Sequence, residues 1–203
     1  MQSDIIQIIL GWRMYKYVFT GDIQKMYRQI MVHENDRQYQ LILFRPRHHD
    51  AVSTYQLKTV TFGINSAPFL ALRTLQQLSQ DCQKIFPLAS EILKEEIYVD
   101  VILSGGHSID EAQEKQSEIT KALYSASFPF KKITSNSSIL LSQVAREDLL
   151  DEEFLKFDES STVKTLEIRW NAMEDVFLLY GGSHFCRSPH HQAAYALHHC
   201  PIV

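Results

Sequence analysis

The chain has 203 residues, of which 45% are hydrophobic and 22% charged, and these proportions exclude an intrinsically disordered protein. Its formal net charge of −4 excludes a protein that holds nucleic acid by a bulk positive field. Three scattered cysteines, no signal peptide and no apolar run of the roughly 20 residues that cross a membrane predict an intracellular protein of the cytoplasm or nucleus, not a secreted one.

The first segments predict a helix followed by a strand that ends near a carboxylate. Ser3 and Asp4 can cap a helix that runs to about Trp12. Residues 17–20 are β-branched or aromatic and predict a strand that leads to Asp22. A carboxylate at the end of a rigid strand suits catalysis, although a turn aspartate bonded to nearby amides gives the same pattern.

A mainly polar excursion, residues 30–66, comes next in the chain. Residues 30–32 and 39–44 predict two strands joined by the polar segment 33–37. A hydrophilic loop then leads to a third alternating strand over residues 55–60.

The segment after this excursion predicts a long amphipathic helix. Residues 62–65 indicate a turn, after which Ser66 is a candidate cap and Pro68 lies in the first turn. The helix is predicted to end near Gln83. Its buried face recurs at helical spacing and consists of Ala71, Leu75, Leu78 and Cys82.

The most informative stretch predicts a buried β-hairpin with an acidic turn. Two short β-branched runs, 97–99 and 101–103, flank Asp100, and the glycines at 105–106 are predicted to break the chain. A carboxylate in so apolar a run is costly to bury unless a metal or another cation compensates it. The alternative is a strand with a single aspartate at its turn.

A second helix and an edge strand follow the hairpin. Ser108 and Glu111 form a capping-box pattern that predicts a helix through Ser125. Its inner face is predicted to consist of Ala112, Ile119, Ala122 and Leu123. Residues 128–133 predict an edge strand, because Pro129 cannot donate a hydrogen bond to a central ladder.

The remaining residues predict a closing hairpin and a polar tail. Residues 147–159 are strongly acidic and predict a solvated helix or loop, and 164–170 with 176–179 predict a hairpin. Residues 181–203 carry five of the nine histidines and two cysteines, but their spacing matches no zinc motif, so an unstructured tail is favoured over a zinc site. The order of elements predicts an α+β fold, with helices on one face of an antiparallel sheet.

Four stretches, taken together, resemble the palm of a reverse transcriptase, an RNA-directed DNA polymerase, and within that class most resemble the BEL/Pao group of LTR retrotransposons. The first resembles the group's first catalytic motif, and the third stands where the family has Tyr-x-Asp-Asp. The second resembles the loop and helix on the nucleotide side, and the fourth the primer-contacting hairpin. The stretches are Phe19–Ile30, Thr61–Phe69, Tyr98–Val101 and Lys164–Trp170.

The resemblance implies phosphoryl transfer by two Mg²⁺ or Mn²⁺ ions. Asp22 and Asp100 would be the catalytic metal ligands, assisted by the backbone carbonyl of Ile23. The implied partners are an RNA template, a DNA primer and a dNTP. No membrane is implied, and the oligomeric state stays open.

The resemblance also assigns roles around the substrate. Tyr27 would lie under the sugar, and Phe62 and Gly63 would pack on the incoming nucleotide. Lys132 would lie on the pyrophosphate side. The residues that would contact the primer are Leu166, Glu167 and Ile168.

By the same resemblance the chain divides into four parts. Residues 1–29 would begin the palm and 30–66 would form part of the fingers. Residues 67–180 would continue the palm with its closing hairpin, and 181–203 would be a divergent tail.

Three departures from the family pattern predict a decayed or truncated copy, a pseudoenzyme of transposable-element origin. Val101 replaces the second aspartate of the hairpin, and Glu167 stands where the family usually has glycine. The fingers segment that precedes the first motif is expected to be missing. An inactive polymerase fragment is therefore favoured over an active polymerase, and the alternative is a co-opted module that binds nucleic acid or protein.

Overall fold

The computed structural model describes residues 4–150, 163–165, 168–172, 175–179 and 195–196. The α-helices are α1 (Ile5–Arg13), α2 (Met26–Gln29), α3 (Ala67–Cys82), α4 (Pro87–Glu95), α5 (Ile109–Ser125) and α6 (Ser138–Leu141), with 3-10 turns at Glu34–Tyr39 and Arg146–Asp148. The strands are β1 (Tyr17–Ile23), β2 (Leu41–Phe44), β3 (Ser53–Gln56), β4 (Ile97–Tyr98), β5 (Val101–Gly106), β6 (Phe130–Ser135), β7 (Val163–Thr165), β8 (Ile168–Asn171), β9 (Val176–Leu179) and β10 (Tyr195–Ala196). In the described residues no helix is long and apolar enough to cross a membrane.

An antiparallel sheet in the order β4-β5-β1-β6 organises the fold. β1 lies between β5 and β6, and its register places Asp22 directly opposite Val101. Val18, Phe19 and Ile23 are fully buried, because this apolar run occupies the centre of the sheet. The predicted α+β fold with an antiparallel sheet is confirmed, and so is the edge position of the strand after Pro129.

Helices α3, α4 and α5 lie on one side of the sheet. Phe19, Ile23 and Ile102 face that side and join Leu75 and Ile119 in one buried cluster. Removal of this apolar surface from water is the main source of stability for such a layer.

The opposite side of the sheet carries α1 and strand β8. Val18 and Leu103 pack there with Trp12 and Trp170, whose rings meet edge to face with centroids 4.7 Å apart. The indole N–H of Trp12 also donates a hydrogen bond to the carbonyl of Ser104 at 3.1 Å. The contact between the two tryptophans therefore joins the start of the chain to its last third, on this one face of the sheet.

Helix N-termini follow the predicted capping in α1 and α5 but not in α3. Asp4 accepts a hydrogen bond of 2.7 Å from the amide two residues on, and Ser108 accepts one of 3.2 Å from the amide of Glu111. Ser66 makes no side-chain cap, because its own backbone is already helical (φ −83°, ψ −12°). Pro68 occupies the first turn as predicted.

The glycines after the hairpin do not break the chain, and that prediction is wrong. Both belong to β5, with Gly106 paired to Tyr17. A Cβ on Gly105 would lie 2.4 Å from the carbonyl oxygen of Tyr17. Gly105 therefore permits a close approach between two strands, and Gly106, whose Cβ would lie 2.7 Å from the amide nitrogen of Ala112, permits one between β5 and α5.

The excursion between β1 and α3 has less strand than predicted. Residues 30–32 form a single bridge, between Met31 and Thr59, and Glu34–Tyr39 is a 3-10 helix. β2 and β3 pair as a separate hairpin whose residues are all exposed. Among the described residues no packed layer covers this hairpin, so nothing there holds a longer strand in register.

Helix α4 was not predicted. Pro87 occupies its first turn, a position that suits proline. The Ser79 hydroxyl donates a hydrogen bond of 2.9 Å to the carbonyl of Ser90, which fastens α3 to α4.

The closing segment is a set of antiparallel strands in the order β10-β9-β8-β7. The predicted pairing of the strand ending near Trp170 with 176–179 is confirmed by β8 and β9, but 164–170 is divided between β7 and β8. Tail residues Tyr195–Ala196 pair with β9. The histidines and cysteines of the tail and the acidic residues 151–159 lie outside the described residues.

Candidate active site

Asp22 lies near the end of β1, on the side of the sheet opposite α3, α4 and α5. Side chains alternate along a strand, so Asp22 shares a face with Val18 and not with the buried Phe19 and Ile23. Its side chain is 27% exposed. Directly across the ladder is Val101, which packs against the Trp12 and Trp170 cluster. A side chain at 101 therefore faces the same space as Asp22.

Asp100 lies in the two-residue turn between β4 and β5. The turn is strained, because the β-branched Val99 has a left-handed backbone (φ 57°). The carbonyl of Asp100 accepts a hydrogen bond of 2.8 Å from the amide of Ile23, which fixes the turn against β1. The two predicted catalytic carboxylates are thus held close together, Asp22 on β1 and Asp100 in the turn that leads into β5.

Burial and a like charge act on Asp100 together. Burial first, and the charge of Asp22 second, raise the pKa of the Asp100 carboxyl, while a backbone hydrogen bond and Lys132 oppose this. A carboxyl whose ionisation is disfavoured by burial and by a neighbouring acidic side chain, as at Asp100, suits a site that gains from a bound cation.

Lys132 lies in a β-bulge of β6, and its ammonium group brings a positive charge close to Asp22 and Asp100. Thr20 pairs with Thr134 and Asp22 with Lys131, so two residues of β6 lie opposite one residue of β1. Lys132 adopts a left-handed backbone (φ 53°), and its Nζ lies 3.2 Å from Oδ2 of Asp22. The resemblance implied a position on the pyrophosphate side, and the structure places this lysine on the Asp22 carboxylate.

The donor set fits one divalent cation better than two. Mg²⁺ binds oxygen ligands, commonly one or two carboxylates completed by substrate phosphates and water. Asp22 and Asp100, with the carbonyl of Ile23, match that requirement for a single ion. No group of three or more His, Cys, Asp and Glu side chains that could hold a metal occurs within the described residues. The Lys132 ammonium also competes for Asp22.

Tyr27 and Phe62, two of the residues predicted to contact the nucleotide, also lie next to each other. The rings of Tyr27 and Phe62 meet edge to face with centroids 4.7 Å apart. Tyr27 is 9% exposed and Phe62 62% exposed, so Phe62 supplies nearly all of the surface that this aromatic pair presents to solvent. Gly63 has φ 90°, a conformation that strongly favours glycine and lets the chain turn after Phe62.

The predicted primer contacts are described only in part. Leu166 and Glu167 lie outside the described residues, and Ile168 begins β8. Two residues further, Trp170 is fully buried against the site face of the sheet. This strand therefore lies on the same side of the sheet as Asp22.

Sequence reasoning missed the contacts that fix β8 to the palm. Asp175 accepts a hydrogen bond of 3.0 Å from the Trp170 indole and forms an ion pair with Arg13. No local pattern predicts the ion pair, because Arg13 and Asp175 are separated by 162 positions in the chain. The only sequence signal was the presence of two tryptophans.

A comparison with known families agrees with this geometry. The family described as "Reverse transcriptase (RNA-dependent DNA polymerase)" matches residues 6–135. The chain belongs to this reverse transcriptase family. The match contains Asp22, Tyr27, Asp100 and Lys132, and it ends before β7. No curated protein matches the chain.

Proposed function

We propose that this chain is the palm of a BEL/Pao-type retrotransposon reverse transcriptase whose metal centre has degenerated, so that DNA synthesis on an RNA template is lost. Reverse transcriptases act on a template and a primer with divalent metals, and the matched family supports that ancestry. The proposed loss of activity rests on one observation. Val101 lies opposite Asp22, where a second hairpin carboxylate would complete the site.

The electrostatics support this interpretation. A two-metal site brings about four positive charges together, and two carboxylates offset only half of them. Lys132 adds a further positive charge beside Asp22. Two Mg²⁺ ions would then face each other and a lysine with too little negative charge between them.

The remaining residues keep recognisable roles in substrate binding. Asp22 and Asp100 would hold one Mg²⁺ or Mn²⁺ ion, which supplies charge stabilisation in phosphoryl transfer when it is bound. Tyr27 and Phe62 offer an aromatic surface for the sugar and base of a dNTP. Ile168 would lie at the primer side through its place at the start of β8.

Primer extension on an RNA template, with Mg²⁺ or Mn²⁺, tests the proposal by comparing the natural chain with Val101→Asp. We expect no incorporation by the natural chain and measurable incorporation by the variant, because position 101 faces Asp22. Incorporation by the natural chain would contradict the proposed loss of activity. Silence from both proteins would contradict the assignment of the loss to residue 101 alone.

A second candidate is a co-opted module that binds nucleic acid without catalysis. Residues 25–58 contain six Lys or Arg against three Asp or Glu, whereas the whole chain has a net charge of −4. The excursion also exposes Tyr39, Phe44 and Tyr55, and exposed aromatic rings among basic residues suit single strands. Fluorescence anisotropy of an RNA–DNA duplex and of single strands tests this candidate. A flat response at low salt would exclude it.

A further inference from the structure

We propose that the outer edge of β2, the edge away from β3, pairs with the same edge of a second copy of this chain, so that two β2–β3 hairpins join into one four-stranded antiparallel sheet. β2 is the strand Leu41–Phe44, and among the described strands it pairs only with β3. Its outer edge therefore carries backbone groups that no described strand binds. A sheet edge of this kind is a template for another strand.

One hydrogen bond shows which residues of β2 direct their backbone groups outward. The carbonyl of Gln40 accepts a bond of 2.9 Å from the amide of Leu57, so the backbone at residue 40 faces the β3 side. Direction alternates along an antiparallel ladder, and the register continues without a bulge, so residues 42 and 44 also face β3. The N–H and C=O groups of Leu41 and Leu43 therefore point to the outer edge.

The side chains of β2 are all apolar and all exposed. The exposed fraction rises from 40% for Ile42 to 75% for Leu43. Natural edge strands are commonly protected by a charged residue or a proline, and β2 contains neither. A two-stranded hairpin is only marginally stable by itself. This hairpin therefore gains more from additional strands than a covered one would.

The outward groups select one register for the two copies. In only one antiparallel arrangement do both outward residues of β2 meet outward residues of the second copy. Leu41 then lies opposite Leu43 of the second copy, and Ile42 lies opposite its own counterpart on the two-fold axis. Each Leu41–Leu43 pair exchanges two backbone hydrogen bonds. The leucines meet on one face of the sheet and the isoleucines on the other, and such cross-strand contacts stabilise a sheet.

The charges at the two ends of β2 complement each other in this arrangement. Arg45 and Arg47 follow the strand and are exposed, and Asp36, in the 3-10 helix before the strand, is exposed as well. Arg37 of that helix is already paired with Glu34. Antiparallel pairing about a two-fold axis brings the loop of one copy to the helix of the other, so the two arginines approach Asp36. One segment thus supplies both the edge and the opposite charges, which favours a second copy over an unrelated peptide.

This assembly is independent of the metal site. β2 and β3 form a sheet separate from the one that carries Asp22, and neither strand contains a candidate catalytic residue. The dimer can therefore form or fail whatever primer extension shows. Stable interfaces bury roughly 1,200 Å² or more in total, and an edge of four residues buries less. The expected dimer is weak and depends on concentration, with a dissociation constant in the micromolar range or above.

Sedimentation equilibrium of the full chain, without nucleic acid, tests the proposal at micromolar to millimolar concentration. Leu43→Pro removes an outward amide but none that bonds to β3, so dimerisation should weaken at least about tenfold. Thr54→Pro is the matched control. Thr54 lies opposite Leu43, and its backbone faces the free edge of β3 instead. This variant should dimerise like the natural chain.

A disulfide tests the register. Ile42 and its counterpart would form a pair without direct hydrogen bonds, whose Cα atoms lie about 4.5 Å apart, within the range of a disulfide. In a chain with Cys186→Ser and Cys200→Ser, Ile42→Cys should therefore give a disulfide-linked dimer under mild oxidation. Leu41→Cys should react at least about tenfold more slowly, because the two copies of residue 41 would be diagonal neighbours about 7–8 Å apart.

Four results would overturn the proposal. The first is a chain that stays monomeric at millimolar concentration. The second is a Thr54→Pro variant that loses dimerisation as completely as Leu43→Pro, since the effect would then not belong to the edge of β2. The third is equal cross-linking of Ile42→Cys and Leu41→Cys, which would contradict the register. The fourth is dimerisation only after single-stranded RNA or DNA is added, because nucleic acid would then be the partner of this hairpin.

Discussion

The two faces of the central sheet differ in what their side chains do. On the helix face, Phe19, Ile23 and Ile102 are fully buried and pack against α3, α4 and α5. On the site face, Asp22 and Val101 stand opposite each other, and each is only partly buried. Both faces contribute buried clusters, but the larger one lies on the helix face. A substitution at position 22 or 101 is therefore expected to cost the fold less than one at position 102.

The largest effect is expected from the helix face. Ile102→Ala should lower the free energy of unfolding by about 2–5 kcal/mol, because it leaves a cavity in the main cluster. Val101→Ala, one position earlier on the other face, should cost clearly less, since Val101 is partly exposed. Urea denaturation measures both. Equal costs for the two variants would remove the distinction between the faces.

The next effect concerns a carboxylate introduced at position 101. Val101→Asp should bind Mg²⁺ about tenfold more tightly or better, because a second carboxylate then faces Asp22 across the ladder. Without metal the same variant should be less stable, since like charges oppose each other. Calorimetric titration measures the affinity. Identical Mg²⁺ binding by both proteins would contradict the placement of residue 101 beside Asp22.

A smaller effect on metal affinity is expected to distinguish Lys132 from its neighbour Lys131. Lys132→Met should strengthen Mn²⁺ binding by up to about fivefold, because an exposed ion pair of at most about 1 kcal/mol no longer competes for Asp22. Lys131→Met is the control, since Lys131 pairs with Asp148 and Glu147 instead. Electron paramagnetic resonance of free Mn²⁺ measures the affinity. The interpretation fails if both variants change it equally.

The smallest effect is a pH dependence from Asp100. The pKa of Asp100 is raised in the folded chain, so ionisation there disfavours folding, and this penalty is present above the raised pKa. It fades as the pH falls towards the ordinary value of 3.8. Asp100→Asn should therefore gain stability over the natural chain at neutral pH and lose that advantage in acid. Urea denaturation across this range would refute the shift if the difference stayed constant.

Local sequence patterns predicted the parts of the fold whose stabilising contacts lie close together along the chain. The capping pattern at Ser108 predicted α5, and the β-branched runs around Asp100 predicted the hairpin. The strand position of Gly105 was not predictable locally, because the close approach that requires a glycine there involves β1, almost ninety positions away.

The sequence by itself indicated the family, and it predicted Asp22, Asp100 and Val101 as the residues to examine at the candidate site. The tertiary structure alone decided that Val101 faces Asp22, that a bulge turns Lys132 onto that carboxylate, and that β2 pairs only with β3 among the described strands. The physical reason is that residue type and the local period of hydrophobic residues can be read directly from the amino-acid sequence. Register, bulges and burial depend on which distant segments pack together.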